Sequence, residues 1–336
     1  MEATEFWFVL ITVLFTGFFI LEGFDYGVGT LLPFIGKNDI ERRTVLSSIA
    51  PVWDGNEVWM ITAGGALFAA FPHVYATMFS AFYLALFLML VALILRGVAF
   101  ELRNRYPSNA WKKTFDNAIF FGSLLPAFLW GVAVTDLIGG IPINEKMIFT
   151  GNFFNLLTGY SLFGGIVFAI MFTYQGATFL TVRLKDKELL ERAFSKAESF
   201  GVRVVVFFIF FAGLTVYHTD FEESKTALLL FILAVVAFAL SFSAVRGKNS
   251  KKAFILSSVG IALTTISVFV ALFPRLMVSS MNPDYSLTIF NAASTPYTLS
   301  IMTKAAIALV PVVLIYQGIS YYIFRKRVSG EDLGEH

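Results

Sequence analysis

The feature that most constrains this chain is a series of long, uninterrupted apolar runs separated by short basic loops. A lipid-exposed helix needs about 20 predominantly apolar residues to cross a bilayer. Runs of that length recur at roughly 6–32, 47–71, 75–102, 115–139, 158–183, 199–218, 225–245, 253–273 and 297–324. They are continuous rather than alternating, which excludes a membrane β-barrel. Charged residues make up 14% of the chain, against about 25% in soluble domains, and 39 phenylalanines suit lipid-facing helices. The expected fold is therefore an all-α polytopic membrane protein with nine transmembrane helices. The N-terminal MEATEF carries no basic stretch of the kind that precedes a cleaved signal, so the first run is expected to remain as a helix.

The basic residues sort by side. Lys37, Arg42 and Arg43 follow the first run, and Arg103, Arg105, Lys112 and Lys113 follow the third. Arg183, Lys185, Lys187, Arg192 and Lys196 follow the fifth, and Arg246, Lys248, Lys251 and Lys252 the seventh. Arg325, Lys326 and Arg327 follow the ninth, while the even-numbered loops hold only Lys146, Lys225 and Arg275. Under the positive-inside rule this places the N-terminus outside and the C-terminus in the cytoplasm. The segment 185–199 reads as a short charged helix with the i,i+4 pairs Lys187–Glu191 and Glu188–Arg192. The stretch from Pro274 to Ser294 is the longest connection without helical character.

A weak internal repeat accompanies this pattern. Asp25-Tyr26-Gly27 aligns with Tyr174-Gln175-Gly176, and at the same offset Asp39 falls on Glu188 and Arg43 on Arg192. Membrane folds often arise from such duplications. The repeat divides the chain into a first four-helix bundle (1–140), a second (141–273), and an outer loop, ninth helix and tail (274–336).

The second run, Ser47 to Pro72, carries Asp54, Asn56 and Glu57 between Trp53 and Trp59. An acid at mid-membrane depth costs roughly 2.5–3.5 kcal/mol on insertion scales, so it needs an interior partner or water. The first run holds Glu22 and Asp25 three residues apart on one helical face, among Gly23, Gly27 and Gly29. The third holds Arg96 and, at its end, Glu101. At 1.5 Å per residue Asp54 and Arg96 sit about 10 Å, and Glu57 about 15 Å, from the cytoplasmic side. Several carboxylates and one guanidinium are thus expected in one half of one bundle, with Arg96 as counter-ion. Two readings stay open: a proton or cation path, or a charge-balanced helix contact.

The chain has no cysteine and three histidines. His73 and His218 fall at the ends of runs and His336 is the last residue, so no run offers an interior axial ligand for haem. No phosphate-binding glycine loop, nucleophile elbow or metal motif occurs. The basic residues follow membrane topology and do not point to nucleic acid.

The motifs resemble those of subunit II of the cytochrome bd-type quinol oxidases. LEGFDYGVG (21–29), PVWDGNEVW (51–59) running into AGGALFAAFP (63–72), RGVAFELR (96–103) and QGATFL (175–180) followed by Arg183 carry the likeness in order. The resemblance implies two four-helix bundles plus one helix. It also implies a heterodimer with subunit I, which holds b-type haems, a d-type haem and the quinol loop. The complex oxidises quinol, reduces dioxygen to water and takes protons from the cytoplasm without pumping. This chain would hold no cofactor, in a prokaryotic cell membrane. By position, Asp54 matches a proton-uptake carboxylate, Asp25 one linked to proton or charge compensation, and Trp53 a position at the subunit contact. Glu57 stands where relatives often have Gln. A small single-helix accessory subunit, lipid and a structural quinone are further candidate partners. A secondary transporter or channel, and a scaffold without proton role, are the competing functions.

Overall fold

The computed structural model of the chain describes residues 2–334. Eleven helices follow one another: α1 (Ala3–Ile35), α2 (Asp39–Ser47), α3 (Trp53–Ala70), α4 (Pro72–Ala81), α5 (Tyr83–Leu102), α6 (Asn109–Gly139), α7 (Gly159–Arg183), α8 (Lys187–His218), α9 (Lys225–Arg246), α10 (Ser250–Leu272) and α11 (Pro296–Ile323). Among the described residues eight of them, α1 and α5 to α11, are long and apolar enough to cross a membrane. The second expected span is not in that set. Its helix, α3, is 18 residues long and carries Asp54, Asn56 and Glu57. It starts six residues later than expected because residues 48–52, around Pro51, form tight turns.

Two other expectations change in form. The run 75–102 is divided into α4 and α5 at Phe82, although backbone bonds continue across it, from Phe82 N to Met78 O (2.9 Å) and Leu86 N to Phe82 O (2.8 Å). Pro72 separates α3 from α4, since a proline lacks the N–H that would continue the first ladder and suits the first turn of the second. The short charged helix expected at 185–199 is not separate; it is the first half of the 32-residue α8. Gly201, the one glycine near the join, serves packing instead of a break. A Cβ there would lie 2.6 Å from Phe242 Cδ2.

Two faces are defined by contacts between distant loops. On the face rich in Lys and Arg, α2, the start of α6, the start of α8 and the tail meet. Glu41 pairs with Arg192, and Val328 N donates to Arg183 O (2.8 Å). On the opposite face, the stretch after α10 forms a short antiparallel pair, β1 (Arg275–Met277) with β2 (Leu287–Thr288), Arg275 facing Thr288. Ser280 N donates to Ile141 O (2.9 Å) there, and Arg275 pairs with Asp220 at 2.6 Å. Helix α3 lies between these faces. Arg183 Nε donates to Ser48 O just before it (3.4 Å), and Ala70 O at its end accepts from Ser294 N (2.8 Å).

Helix α1 is the centre of the molecule, packing on α3, α6, α7 and α10. It crosses α7 where Gly27 meets Gly176: a Cβ on Gly27 would lie 2.0 Å from Phe172 O and 2.7 Å from Gly176 Cα. Helix α11 is the opposite case. Leu299 is its one buried residue, and it touches chiefly α1 and α3.

Candidate functional site

Helix geometry gathers five of the expected residues into one buried cluster. Glu22 and Asp25, one turn apart on α1, face α3 and α5 and are fully buried, as are Asn56 and Arg96. Arg96 Nη1 donates to Glu22 Oε1 and lies 3.3 Å from Glu57 Oε1. Its guanidinium also sits over the rings of Tyr26 (5.0 Å) and Phe100 (5.5 Å). Helix α6 closes on this place through Gly122, where a Cβ would lie 2.8 Å from Arg96 Cβ.

Asp25 is held separately. Asn56 Nδ2 donates to its Oδ2 at 2.6 Å, and Asn56 Oδ1 accepts from Tyr321 Oη (2.7 Å) and Gln317 Nε2 (3.4 Å) on α11. Trp59 Nε1 donates to Gln317 Oε1 at 2.7 Å. The cluster thus brings two carboxyl groups to one guanidinium, with a third, Asp25, held beside them by an amide. Among the described residues Glu22 Oε2, Asp25 Oδ1 and two of the Arg96 nitrogens have no partner. Buried polar atoms are ordinarily paired, so such a surplus of acid marks a functional site more readily than a packing contact.

Not every expected residue joins. Asp54 is exposed in the first turn of α3, where the helix N-terminus favours an acid. At about 100° per residue it points roughly 200° away from Asn56, so the burial of Asn56 against Asp25 turns Asp54 outward. Glu101 is exposed at the end of α5. Trp53, the first residue of α3, is half-buried against α5, its ring tilted at 44° to that of Phe100 with centroids 4.8 Å apart. Tyr26, Gln317 and Tyr321 escaped the sequence reading. Gln317 and Tyr321 are four residues apart, on one face of the second half of α11, and that spacing was the available signal.

A second network occupies the basic face. Asp116 accepts from Arg42 Nη1 (2.7 Å) and Arg103 Nε (2.5 Å), and Asp39 pairs with Arg103 (3.0 Å) and Lys112 (2.6 Å). Partial burial opposes ionisation of Asp39, but the hydrogen bonds and charges of Lys112 and Arg103 outweigh it and hold the carboxyl below its ordinary value. The hydrogen bond from Arg192 does the same for Glu41.

The histidines lie away from the cluster. His73 is exposed on α4, and His218 ends α8, stacked on Tyr160 with ring centroids 5.2 Å apart. His336 lies outside the described residues. Among the described residues no group of three or more His, Asp or Glu could hold a metal ion. A cavity of about 390 Å³ opens between the ends of α6, α7 and α8, lined by Asp136, Tyr160 and His218.

Fold and site together define a class: a polytopic helical protein with acids around a buried arginine between its first helices. The chain belongs to the cytochrome bd terminal oxidase subunit II family, whose model matches residues 3–324. It is 42% identical over 330 residues to the cytochrome bd ubiquinol oxidase subunit 2 of Bacillus subtilis, covering 98% of this chain and 97% of that one. The cytochrome bd-I ubiquinol oxidase subunit 2 of Escherichia coli K12 is 36% identical over 362 residues, covering 97% and 95%. A solved bd oxidase structure from Geobacillus thermodenitrificans shares the fold, with TM-score 0.79 at 15% identity over 97% of this chain and 100% of the other. The protein is accordingly a multi-pass bacterial membrane protein and one subunit of an oxidoreductase complex.

Proposed function

We propose that this chain is the haem-free subunit of a quinol-oxidising, dioxygen-reducing complex, and that its buried acids carry protons for chemistry in subunit I. The relatives' descriptions as ubiquinol oxidase subunits support the reaction. Haems held by subunit I would supply the electron transfer. Reduction of one dioxygen to two waters takes four electrons and four protons, and two quinols supply the electrons. The protons for water come from the cytoplasm, and the quinol protons leave on the other side, so charge separates without pumping.

One observation carries the proton role: Glu22 and Glu57 converge on a single guanidinium with Asp25 one helical turn from Glu22, and among the described residues no protein donor fills Glu22 Oε2 or Asp25 Oδ1. Such groups can take up and release protons, whereas a purely structural pair would be charge-matched. On this reading the basic face is cytoplasmic and α3 is the ninth crossing. Asp54 stands at the mouth, one turn from Glu57, which leads to Glu22 and Asp25. Helices α1 to α6 form the first bundle, α7 to α10 the second, and α11 stands beside them.

The test uses the assembled complex carrying Asp54→Asn, Asp25→Asn or Glu57→Gln. Expected are haem-loaded complexes whose oxygen uptake is slowed about tenfold or more for Asp54→Asn and Asp25→Asn. Normal turnover of both across the pH range would sink the proton role. Loss of haem would make the acids structural.

A further inference from the structure

Helix α11 reaches the cluster by a chain of hydrogen bonds whose direction is set at its far end. The Trp59 indole can only donate, so the Gln317 atom facing it at 2.7 Å is the carbonyl oxygen. The other end of the Gln317 amide, its NH₂, therefore faces Asn56, at 3.4 Å from Oδ1. Tyr321 Oη approaches the same oxygen at 2.7 Å. With two donors on its oxygen, the Asn56 amide must turn its own NH₂ to Asp25, and Nδ2 lies 2.6 Å from Oδ2. An amide freed to turn over would present oxygen to Asp25, and only a protonated acid can donate to that oxygen.

We propose that Tyr321 and Gln317 of α11 are positioning residues that lock the Asn56 amide and so decide which hydrogen-bonding form of Asp25 the cluster accepts. The chain does not itself conduct protons, since amides and an indole do not exchange them readily. It fixes the orientation of one donor. Helix α11 suits this task because polar contacts hold it where packing does not. Trp7 Nε1 donates to Thr303 Oγ1 (3.0 Å) near its first turns, and Arg183 Nη1 donates to the carbonyls of Phe324 and Lys326 at its end. Between these ties, Gln317 and Tyr321 anchor it to α3.

The inference rests on the proton role of Asp25 proposed above, and the experiment separates the two. Oxygen uptake by the purified complex, driven by a short-chain ubiquinol, is measured against pH for Tyr321→Phe, Gln317→Leu and the double variant. Asp25→Asn serves as reference. Tyr316→Phe, an exposed tyrosine on the same helix, is the control. Expected is a pH profile displaced by half a unit or more in the double variant, about a threefold change in proton concentration, with haem content intact. In the Asn56→Ala background the same substitutions should add no further displacement. Tyr316→Phe should leave the profile in place. A double-variant profile superimposed on the parent's, with Asp25→Asn still slow, overturns the inference and leaves the proton role standing. Normal turnover of Asp25→Asn overturns both. Tyr321→Phe removes a single oxygen atom, and it carries the test if the double variant loses haem.

Discussion

Arg96 is the residue on which the cluster's stability turns. Burying a guanidinium completely costs several kcal/mol, which its partners must offset. Glu22, Glu57 and the two aromatic rings do so here. Replacing Arg96 with Leu leaves Glu22 buried without a counter-ion, and such a loss typically costs about 3–5 kcal/mol. The expected outcome is a complex that loses haem and oxygen uptake at markedly lower temperature. Adding Glu22→Gln should recover a large part of that loss, because it removes the second charge. If the double variant is no more heat-tolerant than Arg96→Leu alone, the pairing is not what Arg96 supplies. The sequence already showed that acids and an arginine share a depth, since both follow from residue counts along apolar runs. It could not show which acid meets Arg96. That depends on helix rotation, and the five residues of turn before α3 reset it, sending Asp54 outward and Asn56 inward.

The crossing of α1 and α7 shows how glycines set the spacing of whole helices. Gly27 and Gly176 were aligned as repeat equivalents, and they are also the residues at which the two helices touch. Without a bilayer-driven hydrophobic force between helices, close backbone approach supplies much of the association. Gly27→Ala would put a methyl 2.0 Å from Phe172 O, so the helices must separate. Overpacking of this kind costs about 1–3 kcal/mol. The measurement is thermal inactivation of the detergent-solubilised complex, with Gly213→Ala as comparison, since a Cβ at Gly213 meets nothing within 4 Å. Equal inactivation temperatures for the two variants would remove the close-approach argument. Most helices were legible because hydropathy registers long apolar runs directly. The joining of 185–199 into α8 was not, because charge content suggests a boundary where the backbone has no reason to break. The β1–β2 pair was missed because its strands are too short to show a period.

Across the whole molecule the helices are tied together at the basic face by charge as well as by packing. Asp39, Asp116, Arg42, Arg103 and Lys112 join α2 to α5 and α6, and Glu41 with Arg192 joins α2 to α8. Asp39 and Glu41 lie outside the membrane-crossing helices, and both carboxyls are held below their ordinary values. A group depressed in the folded protein contributes stability above its unfolded value, near pH 4, and loses it as pH falls through the folded value. The network should therefore be fully effective at pH 7 and progressively lost below about pH 4. A pair open to solvent is worth about 0.2–1 kcal/mol, and salt weakens it further; Glu41 with Arg192 is partly buried and lies near the upper end. Glu41→Gln should accordingly lower the resistance of the basic-face loops to proteolysis slightly at pH 7 and low salt. The gap from the parent should narrow as pH falls from 7 towards 3, because protonation of the Glu41 carboxyl weakens its pairing with Arg192. Proteolysis with an acid-tolerant protease, run at both pH values and at low and high salt, checks this. A gap of the same size at pH 3 would mean that Glu41 acts through shape and not through its charge.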